Sequence, residues 1–129
     1  MPTILFLCVR NSARSQMAEG LARAMAPPGY RFLSAGSDPG TLNPLAIQAL
    51  AEQRIDIAQY RAKGLVGIAV EHVDTIVTLC AEEVCPVVPG KVRRLHWPLP
   101  DPKDLREFRA VRDELRKLLP ALWDQPNVR

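Results

Sequence analysis

Residues 4–16 read Ile4-Leu5-Phe6-Leu7-Cys8-Val9-Arg10-Asn11-Ser12-Ala13-Arg14-Ser15-Gln16. The apolar run ending at Cys8 is a buried-strand signal. After the polar turn, Met17, Leu21, Ala24 and Met25 recur at helical spacing, with Glu19 expected in the first turn, until Pro27-Pro28-Gly29 stops the helix. A loop of this length between a strand and a helix can wrap its backbone N–H groups around a tetrahedral oxyanion, with the positive end of the helix pointing into it. The expected anion-binding residues are Val9, Arg10, Asn11, Ser12, Ala13 and Arg14. The planar fork of Arg14 can take two oxygens at once, whereas the side chain of Arg10 is expected to face solvent. Cys8 lies at the base of the bowl, where the same field favours its thiolate. Ser15 is the natural hydroxyl donor to the sulfur, and Asn11 tolerates the left-handed angles such a loop needs. A Cys with an Arg six residues later is weak evidence alone in an Arg-rich chain; its place between strand and helix, with Ser15 attached, gives it weight. The competing account is a buried Cys beside a surface Arg.

Working outward, Tyr30–Ser34 reads as a short strand and 35–42 as a loop. Asn43-Pro44 starts a helix, with a cap residue and then proline at the first helical position. Leu65–Val73 suggests a short helix. Thr75–Leu79 is a second buried strand ending at Cys80, and Arg93–Trp97 is another, shorter strand. Asp101 or Asp104 opens a final helix whose apolar face is Leu105, Phe108, Val111, Leu115, Leu118 and Leu122. This alternation predicts a three-layer α/β domain: a four-stranded, mostly parallel sheet flanked by helices. In such sheets ligands bind at the carboxyl ends of the strands, and Cys8, Cys80 and the Asp101 loop all follow strands.

The chain has 129 residues and a mass of 14.3 kDa, enough for one domain spanning 1–129. It is 47% hydrophobic and 24% charged, which argues against disorder. No apolar stretch reaches a membrane span and no signal segment opens the chain, so a cytoplasmic monomer is the expectation. Net charge is +3, but the basic residues are interleaved with acids and aromatics are few. That disfavours nucleic acid and suits a small anionic ligand held locally. Thirteen Arg against four Lys, with twelve Pro, fit either heat-stable loops or a GC-rich genome.

The segment Cys8–Gly20, CVRNSARSQMAEG, resembles the active-site loop and first helix of the low-molecular-weight tyrosine phosphatase fold. The Asn-Ser-x-Arg-Ser-Gln-Met-Ala-Glu form resembles more specifically the thioredoxin-coupled arsenate reductases. The likeness continues through SAGSDPGTLNPLAIQAL, VTLCAEEVCPVVPG and RRLHWPLPDP, apart from the last helix. It implies reduction of arsenate to arsenite by a three-cysteine relay. Cys8 attacks arsenic, Cys80 attacks the Cys8 sulfur, and Cys85 then attacks Cys80, leaving a disulfide for thioredoxin or a similar dithiol carrier to reduce. Phosphate and sulfate are expected as competing anions.

A phosphatase of this fold needs only Cys8, the bowl and an acid. Hydrolysis of aryl phosphate esters through a Cys8 phosphoenzyme is therefore the alternative, or a weak side activity. Cys80 and Cys85 could also be inert buried thiols, or with His96 a poor zinc site. The resemblance makes Asp101 the proton donor to the leaving oxygen; otherwise Asp101, Asp104 or both merely cap the last helix. Beyond Asp101-Pro102 there is no tyrosine to form a wall for a phenyl ring, which suits a small inorganic anion, although Trp97 or Tyr60 could still line the pocket. Some reductases of the family bind potassium near the loop. Asn11, Glu19 and Ser34 match positions used there, but Lys63 replaces a further carboxylate, and no metal or other cofactor is expected. His72 and His96 are expected to be structural or exposed, and Trp97 and Trp123 to be packing residues.

Overall fold

The computed structural model describes residues 2–81, 87, 88 and 90–124. Its elements run β1 (Thr3–Cys8), α1 (Arg14–Met25), β2 (Arg31–Gly36), α2 (Pro44–Ala51), β3 (Thr75–Thr78), β4 (Arg93–His96) and α3 (Leu105–Leu118). The strands form one sheet in the order β2-β1-β3-β4, every pairing parallel, with Leu7 level with both Ala35 and Thr78. The first strand is thus central and paired on both sides. That is why all six of its residues are buried and why it reads as an unbroken apolar run.

One face of the sheet presents Ile4, Phe6, Phe32 and Val77 to the helices, with Met17, Leu21, Leu50, Phe108 and Leu115 in the same core. Each large side chain buried there contributes about 1.5–3 kcal/mol. Helix α1 packs against β1, β2, α2 and α3 at once, and nine consecutive residues, Arg14 to Ala22, are buried. The other face, with Leu5, Leu7 and Ile76, is covered by Val73 and Val88 and by the partly buried Leu65, Ile68, Val70 and Val92.

The short helix expected over Leu65–Val73 is a single 3₁₀ turn, Val70–His72. Gly67 adopts φ +92°, which breaks a helical path, and Val66 is 98% exposed. Asn43 caps α2 as its sequence indicates, its Oδ1 accepting from Leu45 N at 2.9 Å. At α3 the cap is Asp104, whose Oδ1 accepts from Glu107 N at 2.9 Å. Trp123 packs edge-on against Phe32. No helix among the described residues is long and apolar enough to cross a membrane.

Candidate functional site

At the carboxyl end of β1 the Cys8 side chain is 2% exposed and its thiol is free. Asn11 N–H donates to Sγ at 3.2 Å, and Ser15 Oγ stands 2.8 Å away. Asn11 Nδ2 donates to Ser15 Oγ at 2.7 Å. That bond takes one of the two serine lone pairs, and the hydroxyl hydrogen is free to turn toward the sulfur. Asn11 has φ +50°, the left-handed conformation anticipated for it. Its Oδ1 accepts from Lys63 N at 2.7 Å and Gln16 Nε2 at 2.9 Å, and Gln16 also donates to Arg61 O at 2.7 Å. The roles of Gln16 and of the Lys63 backbone are not legible in the sequence, because 52 residues separate Lys63 from Asn11.

A second segment laces the back of the loop. Asp38 N donates to Val9 O, Gly40 N to Arg10 O and Asn43 N to Ser12 O, each at 2.9 Å. Because a peptide plane sets its N–H opposite its C=O, these bonds turn the amides of Arg10, Asn11 and Ala13 the other way. Gly36 makes the lacing possible: a Cβ there would overlap Val9 O and lie 2.9 Å from Asn11 N. The Arg10 side chain is exposed and pairs with Asp38 at 2.6 Å.

The front of the loop opens into a cavity of about 310 Å³ lined by Cys8, Arg10, Ser12, Ala13, Arg14, Asn43, Asp101, Pro102 and Lys103. Arg14 is 4% exposed and its Nη1 donates to Leu99 O at 2.9 Å, tying the loop to the chain beyond β4. With Asp104 taken by the helix cap, Asp101 faces the cavity, its Oδ2 accepting from Lys103 Nζ at 2.9 Å. That bond holds the Lys103 ammonium above the usual lysine range. Among the described residues, none of the lining side chains is aromatic. Tyr60 lies under Arg23 instead, at 5.4 Å, and Trp97 packs on the main core.

Cys80 follows β3, the strand beside β1, where Leu79 N donates to Leu7 O at 2.9 Å. It is 2% exposed and disulfide-bonded. Cys85 lies outside the described residues.

Glu19 sits on α1 one turn further in than its sequence position suggested, 4% exposed. It accepts from Ser34 Oγ at 2.5 Å, pairs with Arg23 at 2.6 Å, and has Lys63 Nζ at 3.7 Å. Lys63 Nζ also donates to Arg61 O at 2.9 Å. The Lys63 ammonium thus faces the Glu19 carboxylate and the Arg61 carbonyl. His96 is exposed and bonded to Thr78 Oγ1 at 2.7 Å, so it takes no part in a thiol–metal cluster among the described residues.

A thiol at the foot of a strand–loop–helix pocket, on a four-stranded parallel sheet, is the frame of one protein class. The sequence profile of low molecular weight phosphotyrosine protein phosphatases matches residues 3–127, and the chain belongs to that family. Within it, the chain is similar to proteins of a particular kind. It is 40% identical over 126 residues to arsenate reductase 2 of Staphylococcus saprophyticus, covering 95% of this chain and 96% of that protein. The crystal structure of an arsenate reductase from Archaeoglobus fulgidus superposes with a TM-score of 0.85 at 30% identity, covering 95% of this chain and 99% of the other. A thioredoxin-dependent arsenate reductase of Corynebacterium glutamicum superposes with a TM-score of 0.75 at 29% identity, over 97% of this chain and 64% of that one.

Proposed function

We propose that this protein reduces arsenate to arsenite through the successive action of Cys8, Cys80 and Cys85, with thioredoxin or a similar dithiol protein as the electron donor. The observation that carries the reading is a free Cys8 thiol, hydrogen-bonded by Asn11 and Ser15 in a pocket whose described lining holds no aromatic side chain, together with a disulfide-bonded Cys80 two residues beyond the adjacent strand.

The Cys8 thiolate attacks arsenic(V) and displaces one hydroxyl group, which takes a proton and leaves as water, forming a sulfur–arsenic bond. The loop amides and Arg14 hold the remaining oxygens. Cys80, as thiolate, attacks the Cys8 sulfur. The sulfur–arsenic electron pair passes to arsenic, arsenite leaves, and a Cys8–Cys80 disulfide forms. Cys85 attacks Cys80 and expels the Cys8 thiolate, so the disulfide moves to Cys80–Cys85. The external dithiol then reduces it by two electrons.

Asp101, which lines the same cavity as the thiol, supplies a proton to the departing oxygen. The same pair supports slow cleavage of aryl phosphate esters as a side activity, with phosphate competing for the pocket.

Single Cys80→Ser and Cys85→Ser variants test the relay. Each should lose multiple-turnover arsenate reduction while retaining ester cleavage, and mass spectrometry of oxidised parent protein should find a Cys80–Cys85 link. Arsenate turnover at the parent rate in both variants would refute it.

A further inference from the structure

We propose that Lys103 is a second cation of the anion pocket, carried on the Asp101 loop, and that its ammonium selects free inorganic oxyanions over phosphate esters. The inference deepens the reading of the Cys8 pocket as an oxyanion site and rests on it.

Lys103 lines the same cavity as Cys8 and Arg14, and its Nζ lies 2.9 Å from Asp101 Oδ2. The backbone beneath it is fixed. Lys103 N donates to Glu107 Oε1 at 2.7 Å, while Glu107 N donates to the Asp104 cap at 2.9 Å. Such a reciprocal cap anchors the start of α3, so the lysine stem leaves from a set point at the pocket mouth. Arg14 lines the same cavity, so both cations act on the same space.

In-line attack puts the departing oxygen opposite the sulfur, in the cavity that Asp101 and Lys103 line together with Cys8. In free arsenate or phosphate that oxygen is bare, and an ammonium beside it gains a charge-assisted hydrogen bond. In an ester it bears the organic group, which displaces the ammonium and finds no aromatic wall among the described residues to stack on. The lysine side chain is 74% exposed, so solvent screening limits the gain.

The test uses the reduced full-length protein, with inorganic phosphate and phenylphosphonate as probes in titration calorimetry. Phenylphosphonate places a phenyl group where phosphate has its outward oxygen. Lys103→Met should weaken phosphate binding by about threefold to tenfold and change phenylphosphonate binding by less than about twofold, while Lys103→Arg should restore the phosphate preference. Equal losses for both probes, parent-like phosphate binding in Lys103→Met, or no phosphate binding by the parent would each overturn the proposal. The melting temperature guards against unfolding, since an exposed side chain should leave it unchanged. Neither probe uses Cys80 or Cys85. A parent that binds phosphate but does not turn over arsenate would therefore sink the reductase reading and leave this one standing.

Discussion

Adding one methyl group at Gly36 should disable the site from behind. The Cβ of Gly36→Ala would overlap Val9 O and lie 2.9 Å from Asn11 N, against the backbone of the anion loop rather than a yielding side chain. Ordinary contact begins at about 3.5 Å, so Asn11 N must retreat by roughly 0.6 Å and Val9 O by more. Asn11 N is the donor to Cys8 Sγ at 3.2 Å, and the same residue orders Ser15, so the shift reaches the nucleophile directly. A misplacement approaching 1 Å can cost about 10²-fold in rate. We expect arsenate turnover to fall by about 10- to 100-fold, and stability by about 1–3 kcal/mol from overpacking. Steady-state turnover at saturating donor, normalised to the folded fraction measured by circular dichroism, reads both. A Gly36→Ala variant within about threefold of the parent rate would refute the claim that close backbone approach aligns the loop.

Ser15→Ala removes the hydroxyl that stands 2.8 Å from the thiol, and should slow Cys8 alkylation and arsenate turnover by about tenfold with the fold intact. Asp101→Asn should slow hydrolysis of p-nitrophenyl phosphate by about 10²-fold or more; an unchanged rate would remove Asp101 from the proton-donor role. The ion pairs of Glu52 with Arg109 and Arg112, which join α2 to α3, hold its carboxyl down at about 2 from an ordinary 4.5. A carboxyl depressed in the folded state adds stability above its unfolded value, and that stability is lost as pH falls through the folded one. The melting-temperature gap between parent and Glu52→Gln should therefore be full at pH 6 and shrink between about pH 4.5 and 2; a gap independent of pH would refute the linkage.

Local features were legible in the sequence. The apolar run to Cys8 marks β1 because a central strand is buried on both faces, and Asn43-Pro44 marks α2 because cap and first-turn chemistry lie within three residues. The bowl itself is a single contiguous segment, so its candidate residues could be named without a structure. The boundaries of β2, β3 and β4 shift by one or two residues, as hydrogen-bond pairing rather than apolar pattern ends a strand.

Long-range packing decided the rest. Asp101 and Asp104 are equal candidates for capping α3 until the chain path gives the cap to Asp104 and the cavity to Asp101. Tyr60 and Trp97 could have walled the pocket, but the core and Arg23 claim them. The lacing of the loop by 38–43, the Lys63 contact with Asn11 and the need for glycine at 36 join segments dozens of residues apart. A sequence alone carries spacing along the chain. Which groups share a few ångströms is set only when the sheet order β2-β1-β3-β4 brings strand ends and loops together.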